Sequence, residues 1–271
     1  GARPVFVDNN EAYTIDVDQI EQAITPATKA IIPVHLTGCP ADMPTIMKIA
    51  QQHELFVIED AAQAILASID GSPVGSFGTS AAFSLHPLKN LNVWGDGGII
   101  TTESKDFYEK LKLFRNHGLK NRDEVELFGH NSRLDTIQAA IGNQLMSSVT
   151  QITDTRIANA KLLDKALNDL HPNIIIPPRA NGFKQVFHTY VIRAKNRDQL
   201  LKYLVENGIG AKIHYPIPVH LQKAASDLGY NTGDFPVCEE HCRTIISLPV
   251  HQHLTENELS HMITHLQKFY K

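Results

Sequence analysis

Apolar residues along the chain follow two different spacings, which predict alternating strands and helices. Three short apolar runs near the start have the length of buried strands, at 4–7, 30–35 and 56–58. Two stretches between them carry apolar side chains at helical spacing, at 16–24 and 43–50, and Asp42 is placed to cap the second. This alternation is typical of a parallel sheet covered by helices, so we predict an α/β fold.

The remaining pattern extends this fold to the end of the chain. Further strands are predicted at 80–85, 98–102, 186–194, 210–214 and 244–248. Further helices are predicted at 104–114, 133–146, 151–170 and 197–207, and Thr255 with Glu258 forms a capping box for a last helix. The composition changes near 172–178, which marks the passage into a second domain. We expect residues 1–150 to form a large domain. Residues 151–271 should then form a long connecting helix and a smaller α/β domain.

Composition and charge narrow the function classes. The chain has 271 residues, and its 25 basic and 29 acidic side chains give a formal net charge of −4, which does not favour a nucleic-acid or membrane-surface partner. No apolar run is long enough for a transmembrane helix, and no signal peptide is visible. Three cysteines favour a reducing compartment, so we predict a cytoplasmic protein. Cys238 and Cys242 lack further ligands, and we predict no metal site.

The candidate chemistry lies in a loop between two predicted strands. Lys89 occupies this loop, Ser84 lies five positions before it, and a Gly-Asp-Gly-Gly turn follows at 95–98. Upstream, Asp60 ends a predicted strand. A lysine amine can form a Schiff base with the aldehyde of pyridoxal 5'-phosphate (PLP), and a carboxylate can keep the pyridine nitrogen protonated. Ser84 could donate to the cofactor phosphate. A surface lysine, a capping aspartate and a turn serine are the alternatives.

Four sequence blocks carry a resemblance to a known family, at 59–64, 82–84, 86–91 and 95–98. In this order and spacing they resemble the DegT/DnrJ/StrS family of sugar aminotransferases, which are fold-type I PLP enzymes. The resemblance extends from Gly1 to the C-terminal helix. It implies a mainly parallel sheet in the large domain. A dehydratase branch of the family carries histidine at the position of Lys89, so Lys89 favours transamination.

The resemblance also implies roles for residues outside the lysine loop. Gln63 is expected to contact the ring hydroxyl of the cofactor, and Asn131 to reach the cofactor phosphate of the partner subunit. The segment with His214, Tyr215 and His220 resembles the substrate-facing segment of the family, where such side chains suit sugar hydroxyls and a diphosphate. A surface glutamine at position 63 and a structural role for either histidine stay open.

The activity implied by the resemblance is PLP-dependent transfer of an amino group, from glutamate, to a keto sugar. The sugar is usually nucleotide-linked, and the reaction belongs to amino-sugar biosynthesis. The resemblance further implies a homodimer with active sites at the subunit interface. Two alternatives remain: an enzyme of the same family that acts on a cyclitol or an aminobenzoate precursor, and an inactive or regulatory member.

The chain departs from the family pattern at its front. Family members normally carry a further N-terminal segment, with a Gly-Thr turn for the cofactor phosphate and an aromatic residue that stacks on the pyridine ring, and the sequence here begins at Gly1. Without that segment only Ser84 and, across the dimer, Asn131 would hold the phosphate. We therefore expect the 271-residue chain alone to bind PLP weakly, to be nearly inactive and to aggregate.

Overall fold

The computed structural model describes residues 1–270. Within them the strands are β1 (Ala30–Ile31), β2 (Phe56–Asp60), β3 (Ser68–Ile69), β4 (Ser72–Pro73), β5 (Ser80–Ser84), β6 (Gly98–Thr101), β7 (Ile174–Ile175), β8 (Phe183–Lys184), β9 (Tyr190–Ala194) and β10 (Ile245–Leu248). The α-helices are α1 (Ile20–Ala23), α2 (Met43–Gln52), α3 (Lys105–Phe114), α4 (Thr136–Met146), α5 (Val149–Leu167), α6 (Arg197–Glu206), α7 (Pro236–Thr244) and α8 (Glu256–Tyr270). Short 3₁₀ turns cover Val17–Gln19, Leu36–Gly38, Asn168–Leu170, Val219–Leu221 and Lys223–Leu228.

A four-stranded sheet in the order β1–β2–β5–β6 forms the frame of the N-terminal part. β1 and β5 both run parallel to β2, whereas β6 runs antiparallel to β5. The prediction of a mainly parallel sheet is therefore confirmed. Because β2 and β5 are parallel neighbours, their carboxyl ends, at Asp60 and Ser84, lie at the same edge of the sheet. That edge is where ligands bind in sheets of this kind.

The helix starts follow the predicted capping residues. The Asp42 carboxylate accepts a hydrogen bond from the Thr45 N–H at 3.2 Å, and the Ser104 hydroxyl accepts one from the Phe107 N–H at 3.2 Å. At the last helix, Thr255 and Glu258 bond each other's backbone N–H groups, as a capping box requires. These local signals act within a few residues, and that is why the sequence was sufficient to find them.

Two predicted strands do not form. Residues 4–7 adopt no regular structure, and residues 210–214 contribute only a single bridge, in which Lys212 and Ser247 bond each other at 3.0 and 2.7 Å. The predicted strand at 30–35 is reduced to β1, because Pro33 has no N–H to continue the ladder. Beyond Pro33 the segment still pairs with the end of β2, since the His35 N–H donates to the Asp60 carbonyl at 3.0 Å.

A second core lies in the C-terminal part, where α5, α6 and α8 pack on a three-stranded antiparallel sheet. The sheet has the order β10–β9–β7, and its central strand β9 is buried along most of its length. The fully buried side chains of this core include Leu163, Leu167, Ile192, Leu200, Leu204, Ile246 and Leu266. The division of the chain near residue 150 stays a prediction. In the described residues 1–270, no helix is both long and apolar enough to cross a membrane.

Candidate functional site

A cavity of about 400 Å³ opens beside the carboxyl end of β5. Its lining brings together most of the predicted site residues, although they are far apart in the sequence: Gln63, Ser84, Lys89, His214 and Tyr215. Asp60 lines an adjoining cavity of about 360 Å³, which shares Ser84 with the first. Asp60 is close enough to Lys89 for its charge to act on the pKa of the lysine amine.

Lys89 is held in a tight turn and is half-buried. Its N–H donates to the His86 carbonyl at 2.9 Å, and its carbonyl accepts from the Asn92 side chain at 3.0 Å. The following Gly97 fits closely, because a Cβ there would lie 2.9 Å from a Leu134 methyl group. Burial lowers the pKa of the Lys89 amine, and the charge of Asp60 opposes that shift. A lowered pKa leaves more neutral amine, which is the nucleophilic form.

Glu59, next to Asp60, accepts most of the bonds of a buried hydrogen-bond network that sequence reasoning missed. Its carboxylate is 0% exposed and accepts hydrogen bonds from the N–H groups of Gly75, Phe77 and Gly78, at 2.8, 2.9 and 2.8 Å. It also lies 3.1 Å from His35 Nε2, while His35 Nδ1 accepts from the Ala41 N–H at 3.0 Å. His35 therefore donates from Nε2. Burial alone would raise the pKa of Glu59, but these hydrogen bonds outweigh it and lower the pKa.

We expect Glu59→Gln to lower the free energy of unfolding by about 3–5 kcal/mol, because an amide NH₂ would face donors that now meet a carboxylate oxygen. Since the folded pKa is lowered, the stabilisation is present above the ordinary value of 4.5 and is lost as the pH falls through the folded pKa. Denaturant unfolding at neutral and acidic pH measures both effects. The matched control is Glu21→Gln, because Glu21 is also 3.1 Å from a histidine, His53, but is exposed.

We expect Glu21→Gln to lower the free energy of unfolding by less than about 1 kcal/mol, because the pair is exposed. If Glu59→Gln and Glu21→Gln cost the same, the buried network does not hold the strand that ends in Asp60.

Gln63 is oriented by the backbone of the neighbouring turn. Its side-chain oxygen accepts a hydrogen bond from the Thr37 N–H at 2.6 Å, so its NH₂ group is left as a donor. Ser84 shows a similar arrangement, since its Oγ accepts from the His86 N–H at 3.2 Å and its own hydrogen stays available. Both predicted cofactor contacts therefore present donors at the cavity.

His188 lines the cavity as well, and only the structure revealed it as a site residue. The buried guanidinium of Arg156 donates to the carbonyls of Phe187 and His188 at 3.1 and 3.2 Å, which fixes this segment. In the described part of the chain, His188 Nδ1 is buried without a hydrogen-bond partner. Burial, followed by the charges of Lys89 and Arg156, lowers the pKa of His188 to about 3. The imidazole is therefore neutral near pH 7 and can accept or donate a hydrogen bond.

His214 and Tyr215 line the same cavity from the C-terminal part of the chain. His214 Nδ1 lies 2.9 Å from the Ser247 hydroxyl, and burial followed by the charge of Lys212 lowers the pKa of the imidazole. The Tyr215 ring is 57% exposed and meets His214 edge to face at 5.6 Å. This pair can offer polar groups to a bound molecule.

The structure does not bring His220 and Asn131 to this cavity. His220 is 4% exposed, bonds Glu239 at 3.1 Å and packs on the Phe235 ring at 4.7 Å, so its contacts are those of a structural residue. Asn131 is exposed, and its side-chain oxygen accepts from Arg133 Nε at 3.1 Å. Its predicted contact with the partner's cofactor stays a prediction.

Comparison with known proteins agrees with this geometry. Residues 1–267 match the DegT/DnrJ/EryC1/StrS aminotransferase family. The chain is similar to a pleiotropic regulatory protein of Geobacillus stearothermophilus, with 42% identity over 100% of this chain and 73% of the relative. It is also similar to the UDP-N-acetyl-3-dehydro-α-D-glucosamine 3-aminotransferase of Acidithiobacillus ferrooxidans, with 41% identity over 99% of this chain and 72% of the relative.

A solved structure extends the comparison to the backbone. The crystal structure of S. venezuelae DesV in complex with a ketimine intermediate superposes with a TM-score of 0.97 and 37% sequence identity. The superposition covers 100% of this chain and 73% of that chain. The fold described above is therefore the fold of that protein over the shared length.

Proposed function

The chain belongs to the DegT/DnrJ/EryC1/StrS aminotransferase family, and on this premise we propose that it transfers an amino group from glutamate to the keto group of a nucleotide-linked sugar. The enzyme is a fold-type I aminotransferase whose cofactor is PLP. The observation that carries the proposal is the cavity in which the Lys89 amine lies with Ser84 and Gln63, beside the Asp60 carboxylate.

The donor set of the two adjoining cavities fits PLP. Lys89 supplies the amine for the aldehyde, and Asp60 supplies an anionic partner for the pyridine nitrogen. The free NH₂ of Gln63 suits the ring hydroxyl, and the free hydrogen of Ser84 suits the phosphate. When bound, PLP supplies an electron sink that stabilises negative charge at the reacting carbon.

The residues of the chain then bind, orient and move protons. Asp60 would hold a proton on the ring nitrogen by its negative charge. Lys89 would move a proton at the reacting carbon, a role that general acid–base groups perform with about 10²–10⁴-fold acceleration. The lowered pKa of Lys89 favours this role, because a neutral amine can accept that proton.

The proposed substrate class rests on other polar side chains that line the cavity. His188, His214 and Tyr215 provide donors and acceptors that suit sugar hydroxyls and a diphosphate. The relative from Acidithiobacillus ferrooxidans is named for a UDP-linked keto sugar, which favours a nucleotide-linked substrate here. A cyclitol or aminobenzoate precursor is the second candidate, because the same polar groups would also bind ring hydroxyls.

A homodimer is part of the proposal. Asn131 lies away from the cavity of its own chain, and large apolar side chains on segments near it and near Lys89 are exposed: Phe128 is 99%, Trp94 78% and Leu88 74% exposed. A second copy could cover them and bring Asn131 to a cofactor. Sedimentation at a mass other than twice the chain mass would contradict the dimer. A cytoplasmic location is also proposed, because the three cysteines are free thiols.

The function is tested in two half-reactions. PLP-loaded protein should convert glutamate to 2-oxoglutarate while the cofactor becomes the pyridoxamine form. The aminated protein should then return to the PLP form with UDP- or dTDP-linked keto sugars, more slowly with free keto sugars. Faster return with a cyclitol ketone would support the second candidate. A protein that takes up PLP but never releases 2-oxoglutarate would support a regulatory role, the role named for the Geobacillus stearothermophilus relative.

A further inference from the structure

A chain of hydrogen bonds runs from the C-terminal part of the molecule to the proposed cofactor contact Gln63. Arg179 Nη1 donates to the Gln185 side-chain oxygen at 3.0 Å. Gln185 Nε2 donates to the Thr37 hydroxyl at 3.0 Å, and the Thr37 N–H donates to the Gln63 oxygen at 2.6 Å. Positions 37 and 185 are 148 residues apart, so this connection exists only in the folded chain.

Arg179 sets the direction of the two side-chain bonds in this chain, whereas the Thr37 N–H can only donate. An arginine only donates, so Gln185 must turn its oxygen to the guanidinium and its NH₂ to Thr37. The Thr37 hydroxyl therefore accepts, and its own hydrogen remains to be donated. Within the described residues that hydrogen has no acceptor, and Thr37 lines the cavity.

Arg179 is itself held firmly. Its Nε and Nη2 bond both oxygens of Asp164 at 3.0 and 2.9 Å, and the Tyr190 hydroxyl donates to the same carboxylate at 2.7 Å. The guanidinium also stacks over the Phe187 ring, 5.0 Å from its centre. Because Arg179 is held by these contacts, it can orient the Gln185 side chain and, through it, the Thr37 hydroxyl.

The turn at Thr37 has the backbone conformation expected of a constrained site. Thr37 has a φ of +61°, which is rare for a β-branched residue and strains the backbone. The next residue must be glycine, since a Cβ on Gly38 would lie 2.7 Å from Val186 and 2.9 Å from the Gln63 carbonyl. The turn is thus pressed between Gln63 and the 186–188 segment, and its conformation directs the Thr37 N–H to Gln63.

We propose that Arg179 and Gln185 are positioning residues that orient Thr37, so that the Gln63 amide and the Thr37 hydroxyl present two donors to the anionic ring oxygen of PLP. The inference rests on the proposed function. Two donors would stabilise the negative charge of that oxygen. They would therefore weaken its hold on the proton of the nitrogen that joins Lys89 to the cofactor, and the pKa of that nitrogen would be lower.

The test is an absorbance titration of the PLP-loaded protein, since the bound cofactor changes colour when that nitrogen loses its proton. Thr37→Val keeps the shape and the backbone N–H but removes the hydroxyl. In this variant we expect the pKa of the nitrogen that joins Lys89 to the cofactor to rise by about one unit, a tenfold shift in the proton equilibrium. Thr37→Ser, which keeps the donor, should stay near the wild-type value. The matched control is Thr153→Val, because Thr153 is fully buried and its hydroxyl makes no hydrogen bond in the described residues.

Gln185→Leu tests the positioning step without altering the turn itself. It should raise the same pKa by less than Thr37→Val does. The Thr37 hydroxyl is kept, but the Gln185 NH₂ no longer orients it by a hydrogen bond. A Gln185→Leu protein with the wild-type pKa overturns the positioning role, and a Thr37→Val protein that matches Thr153→Val overturns the second donor. In both cases wild-type protein still shows the titrating band. Wild-type protein that shows no PLP band even with a large excess of the cofactor would instead overturn the proposed function, and this inference with it.

Discussion

Replacement of Lys89 by alanine is expected to abolish amino transfer. The variant loses both the amine that joins the cofactor and the group that moves the proton, and the second role alone is worth about 10²–10⁴-fold in rate. Glutamate turnover to 2-oxoglutarate measures the loss. Borohydride reduction of the PLP-loaded wild-type protein, followed by peptide mass spectrometry, should place the cofactor adduct on Lys89.

The control for this variant is Lys161→Ala. Lys161 is an exposed lysine of α5 and lies outside the cavity lining. It should keep the wild-type rate and the adduct on Lys89. An adduct on any other lysine of the wild-type protein, or turnover by Lys89→Ala near the wild-type rate, would show that the site has been assigned to the wrong residue.

Asp60→Asn should reduce the rate of amino transfer by orders of magnitude while the fold survives. The amide keeps the shape of the carboxylate and can still accept from the Ala62 N–H, which now bonds Asp60 at 3.0 Å. It carries no charge, so the ring nitrogen would lose its proton and the cofactor much of its electron-withdrawing power. Loss of one partner of a buried ion pair costs about 3–5 kcal/mol, which corresponds to a rate loss of about 10²–10⁴-fold.

Asp42→Asn is the matched control, since asparagine caps a helix as well as aspartate does and Asp42 caps α2. Both variants should unfold at similar temperatures, while only Asp60→Asn loses activity. An Asp60→Asn enzyme within about twofold of the wild-type rate would remove Asp60 from the proposed site.

Local patterns predicted the fold class, which the structure confirms, and the centre of the proposed site. Apolar spacing found the strands β2 and β5 and the helices that flank them, because side-chain periodicity reflects which face of an element is buried. Capping residues found the helix starts, because they bond groups only two or three positions away. Lys89 and Asp60 were predicted as site residues from their place relative to predicted strands, together with the family's sequence blocks.

Residue type and local spacing were poorer guides to the surroundings of residues in the segment 210–220. His220 belonged to a segment that resembles a substrate-facing one, yet its ring is buried against Phe235 and bonds Glu239. The predicted strand at 210–214 does not form, because a strand needs a partner along its length and only Lys212 finds one. Neither outcome is encoded in local spacing.

Only the tertiary structure decided which polar groups complete the site. Glu59 is adjacent to Asp60 in sequence, but its role depends on N–H groups contributed by a turn at 75–78. Thr37 and His188 both line the cavity, and Gln185 bonds Thr37 from 148 positions away along the chain. A sequence pattern records side chains along the chain, whereas these contacts are made by backbone groups and by segments that become neighbours only when both cores have packed.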